Sequence, residues 1–462
     1  MNKFNLSYVL SIALIAAMGG LLFGYDWVVI GGAKPFYERF FHIENMPFLQ
    51  GWAMSSALVG CIAGAGLSGI LSDKHGRKPL LIFAAALFVI SAAGTGNADS
   101  FNPFILYRIL GGIGIGLAST LSPVYIAEIS PASMRGRFVS LNQLTIVIGV
   151  LGAQITNWLI AEEIPEHFSG EMILESWNGQ RGWRWMFWAE LIPAGLFFIL
   201  MFFVPRSPRF LVKKKLFKEA QQVLAKVGGA DYASSELSKI TLSLENDTSK
   251  VQFRELFKSK YSAILLLGIV LAVFQQWCGI NVIFNYAEEV FAAAGVGISD
   301  MLFSIVITGA VNLAFTIVAI RVVDNWGRKK LMMLGAGGLA SIYLLLGTSF
   351  YFKADGFLSI ILIVCAIGLY GLTLAPVTWV ILSEIFPNRI RGLAMSVATL
   401  SLWIACFVLT YTFPVLNTWL GASGIFWIYS LICFAGFAFI YFRLVETKGI
   451  SLEQIEARYS GK

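Results

Sequence analysis

The chain has 462 residues, 57% of them hydrophobic and only 13% charged, with a net charge of +7. A soluble protein of that length carries about a quarter charged residues, so a water-soluble globular fold is excluded. The five cysteines, Cys61, Cys278, Cys365, Cys406 and Cys433, all lie in apolar stretches without ligand spacing, so no disulfide framework, metal site or cofactor is expected.

Six apolar stretches come first, near 8–32, 49–71, 79–97, 101–126, 138–161 and 185–204. About 20 apolar residues cross about 30 Å of hydrocarbon as a helix, and each stretch is read as one crossing. The first is too long and too Gly-punctuated for a cleaved signal peptide. A polar segment, 205–257, follows; it contains Lys213-Lys214-Lys215 and a helix-forming patch from Phe217 to Val227. It reads as a cytoplasmic linker with short amphipathic helices, on which the sequon Asn246-Asp247-Thr248 would be inert. Six more stretches lie near 261–293, 300–323, 331–351, 357–383, 393–416 and 421–443. The expected organisation is a first half over 1–204, the linker over 205–257, a second half over 258–443 and a tail over 444–462.

Loop charges orient the chain. One set of loops carries Lys74, Arg77, Lys78, Arg135, Arg137, Arg321, Arg328, Lys329, Lys330, Arg389 and Arg391. The alternate set is poor in Lys and Arg, and its longest loop, 162–184, is acidic, with Glu162, Glu163, Glu166, Glu171 and Glu175. The positive-inside rule puts the first set in the cytoplasm, and an even number of crossings puts both termini there. The basic residues thus set topology, and no nucleic-acid partner is expected.

The halves repeat. Asp73-Lys74-His75-Gly76-Arg77-Lys78 returns as Asp324-Asn325-Trp326-Gly327-Arg328-Lys329, 251 positions later. Glu128 and Arg135 return as Glu384 and Arg391, both 256 positions later. The fold class is therefore an all-α membrane protein of twelve transmembrane helices in two six-helix pseudo-symmetric halves. Repeated halves of this kind are a transporter architecture with its site near mid-membrane at the repeat interface. Gly76 and Gly327 allow tight turns. Asp73, Arg77, Glu128 and Arg135, with Asp324, Arg328, Glu384 and Arg391, are read as a cytoplasmic charge network that latches one state and breaks as the inner side opens. Charges that merely set topology would not need the acids.

Asp26 and Arg108 fall within apolar crossings, where an ionisable group is costly and is a functional candidate by default. A carboxylate beside an Arg can exchange its salt bridge for a proton and so act as a two-state switch; the plainer reading is a permanent structural pair. Glu190 is a second buried acid candidate. Amides are sparse in the apolar spans: Gln143, Gln275, Gln276, Asn281 and Asn312. An amide both donates and accepts, as sugar hydroxyls require. Aromatic faces such as Phe23, Trp379 and Trp403 would cover the C–H surface of a sugar. Interhelical hydrogen bonds are the alternative use of any one amide. Gly112-Ile113-Gly114-Ile115-Gly116 mimics a dinucleotide fingerprint, but it follows no strand and is read as close helix packing. Pro376 and Pro414 are expected to bend the tenth and eleventh helices.

Several motifs carry a resemblance. These are Gly-Arg-Lys after the second and eighth spans, Pro205-Arg206-Ser207-Pro208-Arg209-Phe210-Leu211, Gln275-Gln276-Trp277-Cys278-Gly279-Ile280-Asn281 and Glu446-Thr447-Lys448-Gly449. With them the chain resembles, end to end, the sugar porter family of the major facilitator superfamily. Tyr107-Arg108, Ser122-Pro123-Val124-Tyr125-Ile126-Ala127-Glu128, Asn142-Gln143 and Gly182-Trp183-Arg184-Trp185-Met186-Phe187 look most like bacterial xylose/proton symporters. The resemblance implies that the named amides and aromatics face a central cavity. It also implies that protonation of Asp26 releases it from Arg108 and couples proton to sugar movement. Arg206 stands where the family usually has an acid and Val445 where it usually has Pro. Asn285 stands where the xylose symporters carry Tyr, and Val150 and Leu402 where they carry Gln, so the pocket rim is less polar and a six-carbon sugar is possible.

The expected function is a proton-coupled symporter of a xylose- or glucose-like monosaccharide, working by alternating access as a monomer in the inner membrane. A passive uniporter is the alternative in the same class, and Asp26 argues against it. A non-transporting sugar sensor is the alternative in another class, and the short tail argues against that. An enzyme is not expected: His42, His75 and His167 are the only histidines, all in loops.

Overall fold

The computed structural model describes residues 4–165, 167–246, 256, 259–353, 356–387 and 390–448; for Glu245, Asn246, Ser259, Lys260 and Asp324 it describes the backbone alone. Glu166, Arg389, Gly449, Asp247-Thr248 and the tail beyond 448 lie outside the described residues.

The first half runs α1 (Leu6–Phe40), α2 (Pro47–His75), α3 (Arg77–Gly96), α4 (Phe101–Ile129) and α5 (Arg135–Ile160). A short α6 (Gly170–Glu175) and a π-helical turn (Asn178–Gly182) lead into α7 (Trp183–Trp188) and α8 (Leu191–Phe203). The linker holds α9 (Pro208–Lys213) and α10 (Phe217–Asn246). Ser207 caps α9 by accepting from the Phe210 amide, with Pro208 at the first helical position, where its missing N–H costs nothing. Non-helical torsions at Gly228 and Gly229 kink α10. Leu211, Val212 and Ala220 make the linker's small core, against which Leu237, Ile240 and Leu244 pack.

The second half runs α11 (Ser259–Trp277), α12 (Ile280–Asn285), α13 (Ala287–Ala293), α14 (Ile298–Trp326), α15 (Arg328–Tyr351), α16 (Gly356–Leu372), α17 (Leu374–Ile385) and α18 (Arg391–Arg443). Among the described residues, eleven helical stretches are long and apolar enough to cross a membrane. The last, α18, has 53 residues, about 80 Å at 1.5 Å per residue, more than two bilayer cores. It turns at Gly421, whose φ of 65° and ψ of 173° are not helical. The eleventh and twelfth crossings meet there, which makes twelve.

The apolar stretches predict unbroken spans, but three are broken. The seventh crossing breaks after Trp277 at Gly279, whose φ is 87°, continues as α12 and breaks again at Tyr286. The tenth breaks at Thr373, between α16 and α17. Pro376 lies three residues on; it has no N–H for the Leu372 carbonyl and its ring crowds it, which favours a break there. The sixth breaks at Ala189-Glu190. At Pro414, by contrast, α18 runs on in helical torsions.

The described residues form two compact units that do not follow the sequence halves. One takes residues up to Asp26, Val59–Gly149 and Trp188 onward through α10. Within it α3 packs on α4 and α8. α2 and α4 touch backbone to backbone: a Cβ on Gly64 would overlap the Ile113 carbonyl, and one on Gly116 the Cys61 carbonyl. The glycine run is thus a helix-packing surface, as read from the sequence. The other unit takes Trp27–Leu58, Val150–Phe187 and the second half. Within it α15 packs on α16 and α18, α11 on α18, and α14 on α16. Large apolar side chains remain on the outside, among them Ile192 and Phe442, each 78% exposed. Such a surface suits lipid and not water.

Candidate functional site

The broken seventh crossing builds a chain of amides in the second unit. The break at Gly279 leaves Asn281 within hydrogen-bonding reach of Gln276 at the end of α11. Gln276 Nε2 donates to Gln275 Oε1 at 2.6 Å, and Asn281 Nδ2 donates to Gln276 Oε1. The Asn281 amide also meets Cys406 Sγ at 3.6 Å. All three amides are buried. A side chain at Gly279 would meet the Tyr429 ring at 2.6 Å, so both the torsion and the packing require glycine there. Asn312 is buried on α14, and Gly371 makes room for it: an added Cβ would lie 2.8 Å from Oδ1. Trp403 is buried with its ring 6.0 Å from that of Trp27, and Trp379 is half-buried on α17. Gln143 and Phe23 are half-buried and belong to the first unit.

The first unit also holds the buried charges. Asp26 is 1% exposed and Arg108 2%. Arg108 Nη1 donates to Asp26 Oδ1, and Nη2 reaches the Asp26 carbonyl at 3.4 Å. Glu190, at the break between α7 and α8, is equally buried and interacts electrostatically with both. Asp26 Oδ2 and Glu190 Oε1 have no hydrogen-bond partner among the described residues. Two carboxyl groups therefore lie within electrostatic reach of one guanidinium in an apolar interior.

At the basic-loop ends each half carries the same device. Arg77 Nη2 pairs with Glu128 Oε1 at 2.8 Å, and Ser207 Oγ donates to Glu128 Oε2. Arg328 Nη2 pairs with Glu384 Oε1 at 3.1 Å, and Thr447 Oγ1 donates to Glu384 Oε2. The flanking lysines repeat as well: Lys78 donates to the Phe202 carbonyl at 2.7 Å and Lys329 to that of Tyr441 at 2.8 Å. Glycines at φ 89° (Gly76) and φ 90° (Gly327) make the turns. The halves differ in one respect. Glu446 accepts from the backbone amides of Arg328 (2.8 Å) and Lys329 (3.1 Å), a carboxylate at the positive end of α15. Arg206, exposed, holds that place in the first half.

Other members of the expected network bond differently. Asp73 pairs with Lys213 at 3.1 Å on the surface. Arg135 donates to the Ala127 carbonyl and Arg391 to that of Phe386. The Asp324 side chain lies outside the described residues.

One cluster goes unread in the sequence. α1 continues to Phe40, eight residues past the expected end of the first span, and carries Lys34 and Glu38 into the interior. Lys34 Nζ lies 2.8 Å from Glu289, 3.0 Å from Glu38 and 3.2 Å from Glu288. Gln50 also donates to Glu38, and Arg39 lies 3.8 Å from Glu288. A Lys and a Glu four residues apart at the end of an apolar run was the signal available.

The family model "Sugar (and other) transporter" matches residues 12–459. The chain is 39% identical to the D-xylose-proton symporter of Escherichia coli K12, over 99% of this chain and 96% of that one. It is 36% identical to the arabinose-proton symporter of Bacillus subtilis 168, over 98% and 95%. Its fold matches the E. coli xylose transporter XylE in a partially occluded inward-open conformation with a TM-score of 0.84, at 36% identity and over 96% of this chain and all of that one. With twelve crossings, repeated end motifs and this match, the chain belongs to the sugar transporter family of the major facilitator superfamily.

Proposed function

We propose that the chain is a proton-coupled monosaccharide symporter working by alternating access. The observation that carries the reading is the buried pair of Asp26 and Arg108 with Glu190 beside it. A fixed structural pair would need one acid; here a second carboxyl, Glu190, lies beside the pair, so a proton has two buried acids between which it can be held. A proton taken from outside and placed on Asp26 neutralises it and loosens the grip of Arg108 on α1. Its release inside restores the pair. The proton-symporting relatives support the coupling.

Sugar is the substrate class because Gln275, Gln276 and Asn281 present linked amides, with Asn312 and Gln143 as further amide contacts. Trp379, Trp403 and Phe23 offer ring faces. Xylose-like and glucose-like sugars both suit this chemistry. The pairs Arg77–Glu128–Ser207 and Arg328–Glu384–Thr447 brace the inner ends of the two halves, with Asp73, Arg135, Asp324 and Arg391 around them. The protein works as a monomer in the inner membrane, both termini cytoplasmic, with no catalytic step.

The test is sugar-driven proton uptake in proteoliposomes. Unmodified protein takes up protons when a transported monosaccharide is added, and Asp26→Asn exchanges sugar without proton movement. Sugar exchange by the unmodified protein with no proton signal would mean a passive uniporter. No binding from a panel of pentoses and hexoses would remove the sugar.

A further inference from the structure

We infer that Gln154 on α5 is a further sugar-contacting residue and sets which hydroxyl pattern is accepted; the inference rests on the sugar reading above. Gln154 is 3% exposed, yet neither its Oε1 nor its Nε2 has a hydrogen-bond partner among the described residues. A buried amide group left unpaired keeps the desolvation penalty of its polar atoms with nothing to offset it. An amide can make up to four hydrogen bonds, so this one forgoes its whole capacity. A Leu or Met would fill the same volume without that cost, so the amide needs a polar partner that the protein itself does not provide.

The packing of Gln154 says where that partner comes. Its Oε1 presses on Gly309 of α14, where any Cβ would overlap it. Asn312 sits three residues along from Gly309, on the same face of α14. Gln154 is thus one helical turn from Asn312. Asn285 adds a second unsatisfied group of the same kind: it is buried, its Oδ1 is unpartnered, and it lies one turn beyond Asn281 on α12. Two proposed sugar amides, Asn281 and Asn312, thereby each have an unpartnered amide oxygen about one turn away, that of Asn285 and that of Gln154.

The alternative uses of a buried glutamine do not fit. An interhelical brace shows its partner, as Asn157 does by donating to the Val29 carbonyl at 3.0 Å. A helix-stabilising role would bond a carbonyl of its own turn, as Thr156 does with Gly152. Gln154 does neither.

The experiment compares unmodified protein with Gln154→Leu, using glucose, xylose and a set of monodeoxy glucoses as probes. Two readouts are taken: direct binding by calorimetry, and the apparent melting temperature without sugar. Removing an unpaired amide raises or preserves the melting temperature while sugar binding weakens about tenfold, the equivalent of about 1.4 kcal/mol. For one deoxy sugar, the one lacking the hydroxyl that Gln154 meets, the two proteins bind alike. A lowered melting temperature with unchanged binding of every sugar would make Gln154 a structural brace and overturn the inference. Equal weakening for every deoxy sugar would also overturn it, because a direct contact is hydroxyl-specific. If unmodified protein binds none of the probes, the sugar reading fails instead, which separates the two failures.

Discussion

Lys34 is the residue whose loss the packing penalises most. Its ammonium is 2% exposed and touches three carboxylates, Glu289, Glu38 and Glu288, at 2.8–3.2 Å. At an effective dielectric of 20, each contact carries about 5 kcal/mol of Coulomb attraction. Desolvation and the mutual repulsion of the acids offset most of that sum. What matters for Lys34→Met is the state left behind, three acids with Arg39 at 3.8 Å as the nearest remaining cation. Removing one partner of a buried ion pair costs about 3–5 kcal/mol. The apparent melting temperature in detergent, read as loss of the monodisperse chromatographic peak after heating, is expected to fall by about 5–10 °C. Adding Glu38→Gln and Glu289→Gln to Lys34→Met is expected to recover more than half of that fall, because the uncompensated charge is gone. An unchanged melting temperature for Lys34→Met, or a triple variant less stable than the single one, would refute the account.

Gly327→Ala is expected to destabilise by about 1–3 kcal/mol, because φ 90° is closed to a side chain and the new Cβ would sit 2.6 Å from Glu446 Oε2; the same thermal assay checks it. Arg206→Glu should raise the melting temperature slightly, worth about 0.5–1 kcal/mol, by placing at α3 the carboxylate that Glu446 supplies at α15; a fall would show that the two halves are not equivalent there. Glu384→Gln is expected to cost about 1–3 kcal/mol through Arg328 and Thr447, and Glu384→Gln combined with Thr447→Val should cost less than the sum of the single changes. Gly64→Leu should abolish folding, since the Ile113 carbonyl leaves no room for a side chain between α2 and α4; purification of a stable, sugar-binding Gly64→Leu protein would contradict that packing.

Much of this architecture is written in patterns of near range. Crossing helices follow from apolar runs of sufficient length, because a backbone in hydrocarbon must satisfy its own hydrogen bonds. The repeat was legible because the end motifs need an acid, a glycine and bases at set spacing. The Arg77–Glu128 and Arg328–Glu384 pairs and the two glycine turns involve residues that those motifs single out. Their hydroxyl partners Ser207 and Thr447 were visible only as parts of other motifs. Asp26 and Arg108 are conspicuous as ionisable residues inside apolar spans; that they meet across 82 positions is seen only in the structure.

Other features depend on which surfaces meet. The amides Gln275, Gln276 and Asn281 were legible as candidates, but that they bond one another follows from the helix break at Gly279. Lys34 and Glu38 lie beyond the expected end of their span, so the apolar pattern does not mark them as interior charges. They are buried because α1 continues and α13 brings Glu288 and Glu289 to meet them. Gln154 reads from sequence as any polar residue in an apolar helix; its unpaired amide is visible only once the neighbours that decline to bond it are in place. The sequence by itself determined the membrane-crossing helices, their repeat and the residue types available for proton and sugar chemistry, because burial in lipid and turn geometry act locally along the chain. Only the tertiary structure decided which charges and amides are satisfied and which are left wanting a partner, because hydrogen-bond satisfaction is a property of side chains brought together from distant helices.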